Sequence, residues 1–124
     1  MIAVDTSVII PYINQDAYRE TETLDQLVID QAAWIAPVTL TELMSSPRNA
    51  TRLALILPRL NILPLTAGYW ERAGLLRARL FAEGRRARLG DALIAQYCLD
   101  ADAALLTRDE DFAAFEALAG LRRA

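Results

Sequence analysis

Met1-Ile2-Ala3-Val4-Asp5-Thr6-Ser7 is the stretch on which the fold turns. Ile2, Ala3 and Val4 run straight into a carboxylate, and two hydroxyl residues follow it. An apolar run without alternation reads as a short strand buried on both faces. Ser and Thr then favour a helix start. In open α/β sheets, ligands sit beyond the carboxyl ends of the strands, so Asp5 stands where a functional acid belongs. The remaining chain decides whether other acids join it.

Working outward, the pattern repeats. Thr6 to Asn14 reads as a short helix limited by Pro11, and Asp16 to Gln31 as a second helix with Leu24, Leu27, Val28 and Gln31 on one face. Ala32 to Ala36 is a short apolar strand stopped by Pro37. Thr39 opens a helix that breaks at Ser45-Ser46-Pro47, and Arg48 to Leu57 forms another. Asn61 to Leu63 is expected as a third strand, ended by Pro64. Thr66 is placed to cap the longest helix, Ala67 to Glu83, which Gly84 terminates. Gly90-Asp91 opens a helix over Ala92 to Leu99, apolar nearly all round and therefore buried. Ala103 to Leu106 is the fourth strand, Thr107 to Phe112 opens a last short helix, and Leu118 to Ala124 holds a short edge strand. Strands alternating with helices predict an α/β fold: a three-layer α/β/α sandwich on a short parallel sheet, one domain over residues 1–124.

Composition narrows the chemistry. The chain has 124 residues, 54% of them hydrophobic, and no histidine. Histidine-based acid–base catalysis, Ser-His-Asp triads and ordinary zinc sites are thereby excluded. Every basic residue is arginine, so lysine nucleophiles are excluded too. The net charge of −3 rules out bulk attraction to nucleic acid, leaving only local contacts. Cys98, the single cysteine, lies in an apolar helical run and reads as a buried thiol in a reducing compartment. The apolar start lacks the basic region of a signal peptide, and no apolar run nears the roughly 20 residues of a membrane span. A soluble cytoplasmic protein is expected.

Four acids fall at equivalent places: Asp5 after the first strand, Glu42 in the helix after the second, Asp91 at the start of the buried helix, and Asp109 after the fourth strand. In a parallel sheet these share the carboxyl edge. Converging carboxylates repel, and a divalent cation relieves that repulsion. Magnesium or manganese suits an oxygen-only set beside a substrate phosphate, which points to metal-assisted phosphodiester hydrolysis. Each acid also has a capping role open to it. Asp5 could cap the next helix, Thr39-x-x-Glu42 and Thr107-x-x-Glu110 match capping boxes, and Asp91 suits a helix N-terminus. Asp111 could likewise be a cap.

Asp5-Thr6-Ser7, Thr41-Glu42, Gly90-Asp91-Ala92-Leu93-Ile94-Ala95 and Leu106-Thr107-Arg108-Asp109-Glu110-Asp111-Phe112, in this order over nearly the whole chain, resemble the PIN-domain family, and in particular the VapC-type toxins of bacterial toxin–antitoxin pairs. The resemblance implies a magnesium- or manganese-dependent endoribonuclease. Its acidic site would be Asp5, Glu42, Asp91 and Asp109, with Asp5 and Asp91 as direct metal ligands and Thr107 as a supporting hydroxyl. Both Asp109 and Asp111 sit in the last motif, and either completes the set. Water activated at the metal would attack in line, leaving a 5′-phosphate and a 3′-hydroxyl. The resemblance also implies a homodimer and a small antitoxin partner.

Arg85, Arg86 and Arg88 precede Asp91 closely and are candidates for holding RNA phosphates, or else form a solvated face. Tyr69, Trp70 and Phe81, at helical spacing, suit core or dimer packing better than base stacking, and Val8–Ile13 and Leu53–Leu57 are candidate interface segments. A PIN-like nuclease outside toxin–antitoxin biology, acting in RNA or DNA processing, and a non-catalytic PIN-fold interaction module are the competing readings. A haloacid-dehalogenase-like phosphatase would need Asp-x-Asp, and Ser7 stands at that second position.

Overall fold

The structure, a computed structural model, describes residues 1–124. Its strands are β1 (Ile2–Val4), β2 (Ala33–Trp34) and β3 (Ala104–Leu106). Its helices are α1 (Thr6–Ile13), α2 (Arg19–Ile29), α3 (Pro37–Met44), α4 (Ala50–Ile56), α5 (Tyr69–Ala82), α6 (Leu89–Ala101) and α7 (Ala113–Ala119). The strands form one parallel sheet in the order β2-β1-β3, with Val4 opposite Leu106. The expected α/β layering is what the chain adopts.

Alternation along the strands builds the layers. Ala3 and Leu105 pack with α5, α6 and α7, while Val4 and Leu106 pack with α1 to α4 on the other face. Both faces are covered, which is why β1 and β3 read as continuous apolar runs. In α6, every residue from Ala92 to Cys98 except Leu93 is buried, as its all-round apolarity predicts. The free thiol of Cys98 lies among them.

Several expected elements are shorter or differently closed. Asn61–Leu63 is no full strand: it makes a single parallel bridge to Trp34, through Asn61 N–H to Ala33 O and Ile35 N–H to Asn61 O, both 2.9 Å. The chain then leaves the sheet because the amide of Leu63 donates to the Tyr97 hydroxyl at 3.1 Å and Pro64 has no N–H to give. Of the stretch Leu118–Ala124, the first two residues end α7, Gly120 caps it, and the rest contributes one bridge, Leu105 to Arg123. Helix α2 begins at Arg19 rather than Asp16, and Gln31 is exposed with φ of 56°, past its end. Thr66 does not cap α5. Gly68 holds that position at φ 81°, and the Thr66 hydroxyl instead accepts from Arg72 Nη2 at 2.8 Å. The positive φ makes the turn depend on glycine there, and a side chain at residue 68 would also push Arg72 Nη1 aside.

Candidate metal centre

Asp5 is held at the carboxyl end of β1 by its own amide, which donates to Leu106 O at 3.0 Å. That register sets Asp5 beside Thr107, the residue following β3. The Thr107 hydroxyl donates to Asp5 Oδ2 at 3.0 Å and accepts from Asp109 N–H at 3.0 Å. Ser7 closes the loop: its Oγ lies 3.2 Å from Thr107 Oγ1 and accepts from Arg108 N–H at 2.9 Å. Asp5 also caps α1, accepting from Ser7 N–H at 3.4 Å. Capping and site membership therefore coexist at Asp5.

The Thr107-x-x-Glu110 capping box does not form. Asp109 takes the cap, its Oδ1 accepting from Asp111 N–H at 2.9 Å, and this tight turn aims both acids toward the start of α6. Carboxylate oxygens of Asp91, Asp109 and Asp111 lie within 4.8 Å of one another. Asp109 and Asp111 thus both approach Asp91. Asp5 and Glu42 stand outside this tightest group, though the charge of Asp5 is felt at both Asp91 and Glu42.

Electrostatics record the crowding. A helix N-terminus lowers the pKa of a carboxyl in its first turn. Asp91 occupies that turn, yet its pKa is pushed up to about 6 by desolvation first, then by Asp109 and Asp5, against the opposing pull of Arg88. Burial and neighbouring charge outweigh the dipole. Glu42 is raised for the same reasons, desolvation and then Asp5. Its expected capping box is also absent. Pro37 starts α3 earlier, as suits proline at a first helical position, and leaves Thr39 inside the helix with its hydroxyl buried and unpartnered. Cys98 is pushed up to about 12 by burial and by Asp5, which leaves the thiol protonated and inert.

The donor set is all oxygen, partly exposed and mutually repulsive. It fits a small hard divalent cation, magnesium or manganese, better than a soft one. Beside it, Gly84, Arg85, Arg86 and Arg88 face Asp91, Glu110 and Asp111 across a cavity of about 290 Å³. Arg88 Nη2 stands 3.7 Å from Asp111 Oδ2, a loose and exposed pair.

A family model described as PIN domain matches residues 2–118. The chain belongs to the PIN-domain family. PIN-fold structures align over nearly its whole length. A chain of the VapBC2 complex of Rickettsia felis, solved on a DNA fragment from its promoter, is 25% identical with a TM-score of 0.80, covering 100% of this chain and 98% of that one. Chains from FitAcB of Neisseria gonorrhoeae (TM-score 0.78) and from DNA-bound VapBC of Salmonella typhimurium (0.77) are each 22% identical, covering 99% of this chain and 96% of theirs. No curated protein sequence matches significantly.

Two residues that hydrogen-bond the loop of this acidic cluster carry no local sequence signal. Ser7 is one: its bridge to residues 107 and 108 spans the whole chain and leaves no local trace. Arg123, which donates to the carbonyls of Thr107 and Asp109, is the other. Thr107→Val tests the network that Ser7 joins. It keeps the shape and removes all three hydrogen bonds of the hydroxyl, to Asp5, Asp109 and Ser7, from a buried position, so about 1–3 kcal/mol of stability is expected to be lost. The urea midpoint should fall at unchanged slope; an unchanged midpoint would deny the Thr107 hydroxyl its structural part.

Proposed function

We propose that this chain is a metal-dependent endoribonuclease of VapC type, the toxin of a toxin–antitoxin pair, cutting RNA phosphodiester bonds with water. The observation that carries this is the convergence of Asp91, Asp109 and Asp111 at ligand spacing beside Asp5, on the carboxyl edge of the sheet. Asp91 and Asp5, joined by Asp109 and Asp111, would hold magnesium or manganese, with Glu42 at the rim orienting water. When bound, such an ion supplies charge neutralisation at the scissile phosphate and a more acidic water. The toxin reading is supported by neighbours solved as VapBC and FitAcB assemblies. All four expected acids are present, which favours a catalyst over a non-catalytic PIN module.

Two surfaces support the partner assignments. The outer face of α5 leaves Trp70, Leu75 and Phe81 more than half exposed around the open Gly74, a fitting face for a second copy of this chain. A groove of about 800 Å³ between α1, α2 and α4, lined by Tyr12, Val28, Leu55 and Ile56 with Arg52, Arg59 and Asp25, suits an amphipathic antitoxin segment. No helix is long and apolar enough to cross a membrane. A buried free thiol suits the reducing cytoplasm, where the RNA substrate lies. Residues 1–124 act as one nuclease domain in this reading.

The test is antitoxin-free protein on total RNA, with magnesium or manganese against EDTA and Asp91→Asn in parallel. Discrete, metal-dependent fragments with 5′-phosphate and 3′-hydroxyl ends, absent with the variant, are expected. Equal cutting by both proteins, or 2′,3′-cyclic phosphate ends, would remove the reading.

Arg85 and Arg86 would grip RNA phosphates beside the cut. Substituting both with Ala is expected to raise KM about tenfold while sparing kcat, and to flatten the slope of log affinity against log salt by about 0.7 per arginine. An unchanged salt slope would return these residues to a plain solvated surface.

A further inference from the structure

Arg123 lies far in sequence from Asp91, yet it grips the loop that carries Asp109 and Asp111. Its guanidinium forks onto Glu116 of α7, Nε to Oε1 and Nη2 to Oε2, both at 3.0 Å. Its remaining reach goes to backbone carbonyls: Nη1 donates to Thr107 O at 3.3 Å and Nη2 to Asp109 O at 3.4 Å. Glu110 Oε1 stands 3.9 Å from Nη1. The side chain is only 25% exposed. Its backbone is fastened too, since Leu105 N–H donates to Arg122 O and Ala124 N–H to Leu105 O, both at 2.8 Å.

The loop is therefore pinned from two sides. On one side the Thr107 hydroxyl ties it to Asp5 and to the amide of Asp109. On the other, Arg123 holds the carbonyls of the same two residues, 107 and 109. Charge-assisted bonds from a planar fork hold direction as well as distance. Ligand sets tolerate displacements of only about 0.5 Å before binding suffers. An unpinned loop would let Asp109 and Asp111 drift from Asp91.

We infer that Arg123 is a positioning residue of the metal centre, locking the Thr107–Asp109 backbone so that Asp109 and Asp111 face Asp91 at ligand spacing. This rests on the metal-dependent reading above. A rival account is charge alone: a cation behind the loop would weaken attraction for a divalent ion. The two accounts predict opposite results. Arg123→Met removes both the fork and the charge, whereas Arg123→Lys keeps the charge and loses the fork. Positioning lowers manganese affinity in both variants, by about tenfold or more, the range seen when supporting contacts of metal ligands are lost. Charge alone raises it in Arg123→Met and leaves Arg123→Lys unchanged.

Arg72→Met controls for general loosening. Arg72 makes an equally rich clamp, to Asp100 at 2.7 and 3.1 Å and to Ala67 O at 2.7 Å, at the opposite end of α6 from Asp91. The experiment follows manganese binding by electron paramagnetic resonance of the free ion at neutral pH, together with amide exchange at Asp109 and Asp111. Weaker binding and faster exchange in both Arg123 variants, with Arg72→Met binding like wild type, is the expected result. Unchanged affinity in folded Arg123 variants, or an equal loss in Arg72→Met, would overturn the assignment. A folded wild type that binds no manganese would instead strike the metal centre itself, and the positioning role with it.

Discussion

Asp91→Asn is expected to abolish RNA cleavage and, in the same protein, to raise the melting temperature of the metal-free form. The first effect follows from removing a charge at the point where the three acids converge. Several kcal/mol of transition-state stabilisation correspond to a loss of about a hundredfold to a thousandfold in kcat/KM. The second follows from proton linkage. The pKa of Asp91 is raised from 3.8 to about 6 in the fold. The native chain then holds that proton more tightly than the unfolded chain. Between these two pH values the native state binds more protons, so stability falls as pH rises across the window and the full penalty stands at neutral pH. Glu42, also raised, acts in the same direction. Asparagine cannot ionise, so the variant escapes the penalty at Asp91 and should melt a few degrees higher at pH 7 without metal. Adding manganese should stabilise wild type, because the ion binds the native state, and should leave the variant nearly unmoved. Below about pH 6 protons compete for Asp91, and metal binding should weaken. Thermal melts with and without manganese across this range check all of it. A variant that melts lower than wild type without metal would refute the crowding account.

Phe112→Ala carries the largest expected stability loss. Phe112 is 1% exposed and packs against Phe115, ring centroids 6.1 Å apart, in the core layer under α5 and α6. It also follows Asp111 directly, so the ring anchors the turn that presents Asp109 and Asp111. Truncating a buried phenylalanine costs about 3–5 kcal/mol in lost transfer energy and cavity. Against a total of about 5–15 kcal/mol, that takes a large share of the stability. Phe112→Leu, which keeps much of the volume, is expected to cost about 1–2 kcal/mol and to keep manganese binding. Urea midpoints at constant slope read the first effect, and manganese titration of the folded fraction reads the second. A loss below about 1 kcal/mol for the alanine variant would mean that the cavity collapses and the turn has other support.

Most of the architecture was legible because its cause is local. Apolar runs ending in Asp5 and in Thr107 mark strands buried on both faces, and the all-apolar stretch after Asp91 marks a buried helix. The structure departs from local expectation where two local solutions compete. Thr66 and Gly68 both can start α5, and the turn's positive φ favours glycine. Thr39 and Pro37 both can start α3, and proline at the first turn prevails. Thr107 and Asp109 both can cap the turn before α7. Asp109 caps the turn through Asp111 N–H, while the Thr107 hydroxyl accepts from the Asp109 amide and donates to Asp5, a residue 102 positions away.

The sequence by itself therefore determined the layered parallel fold, the absence of histidine and lysine chemistry, and the acids that had to share one sheet edge. These follow from periodicity, composition and strand ends, which are properties of neighbouring residues. Only the tertiary structure decided that Asp109 and Asp111 both turn toward Asp91 while Asp5 stands a step outside the tightest group. It also decided that the edge strands shrink to single bridges, and that Arg123 reaches the loop of residues 107–109. Each of these depends on contacts between residues distant in the chain. Such contacts exist only once β1, β3 and α6 are packed side by side, and no stretch of the sequence encodes them alone.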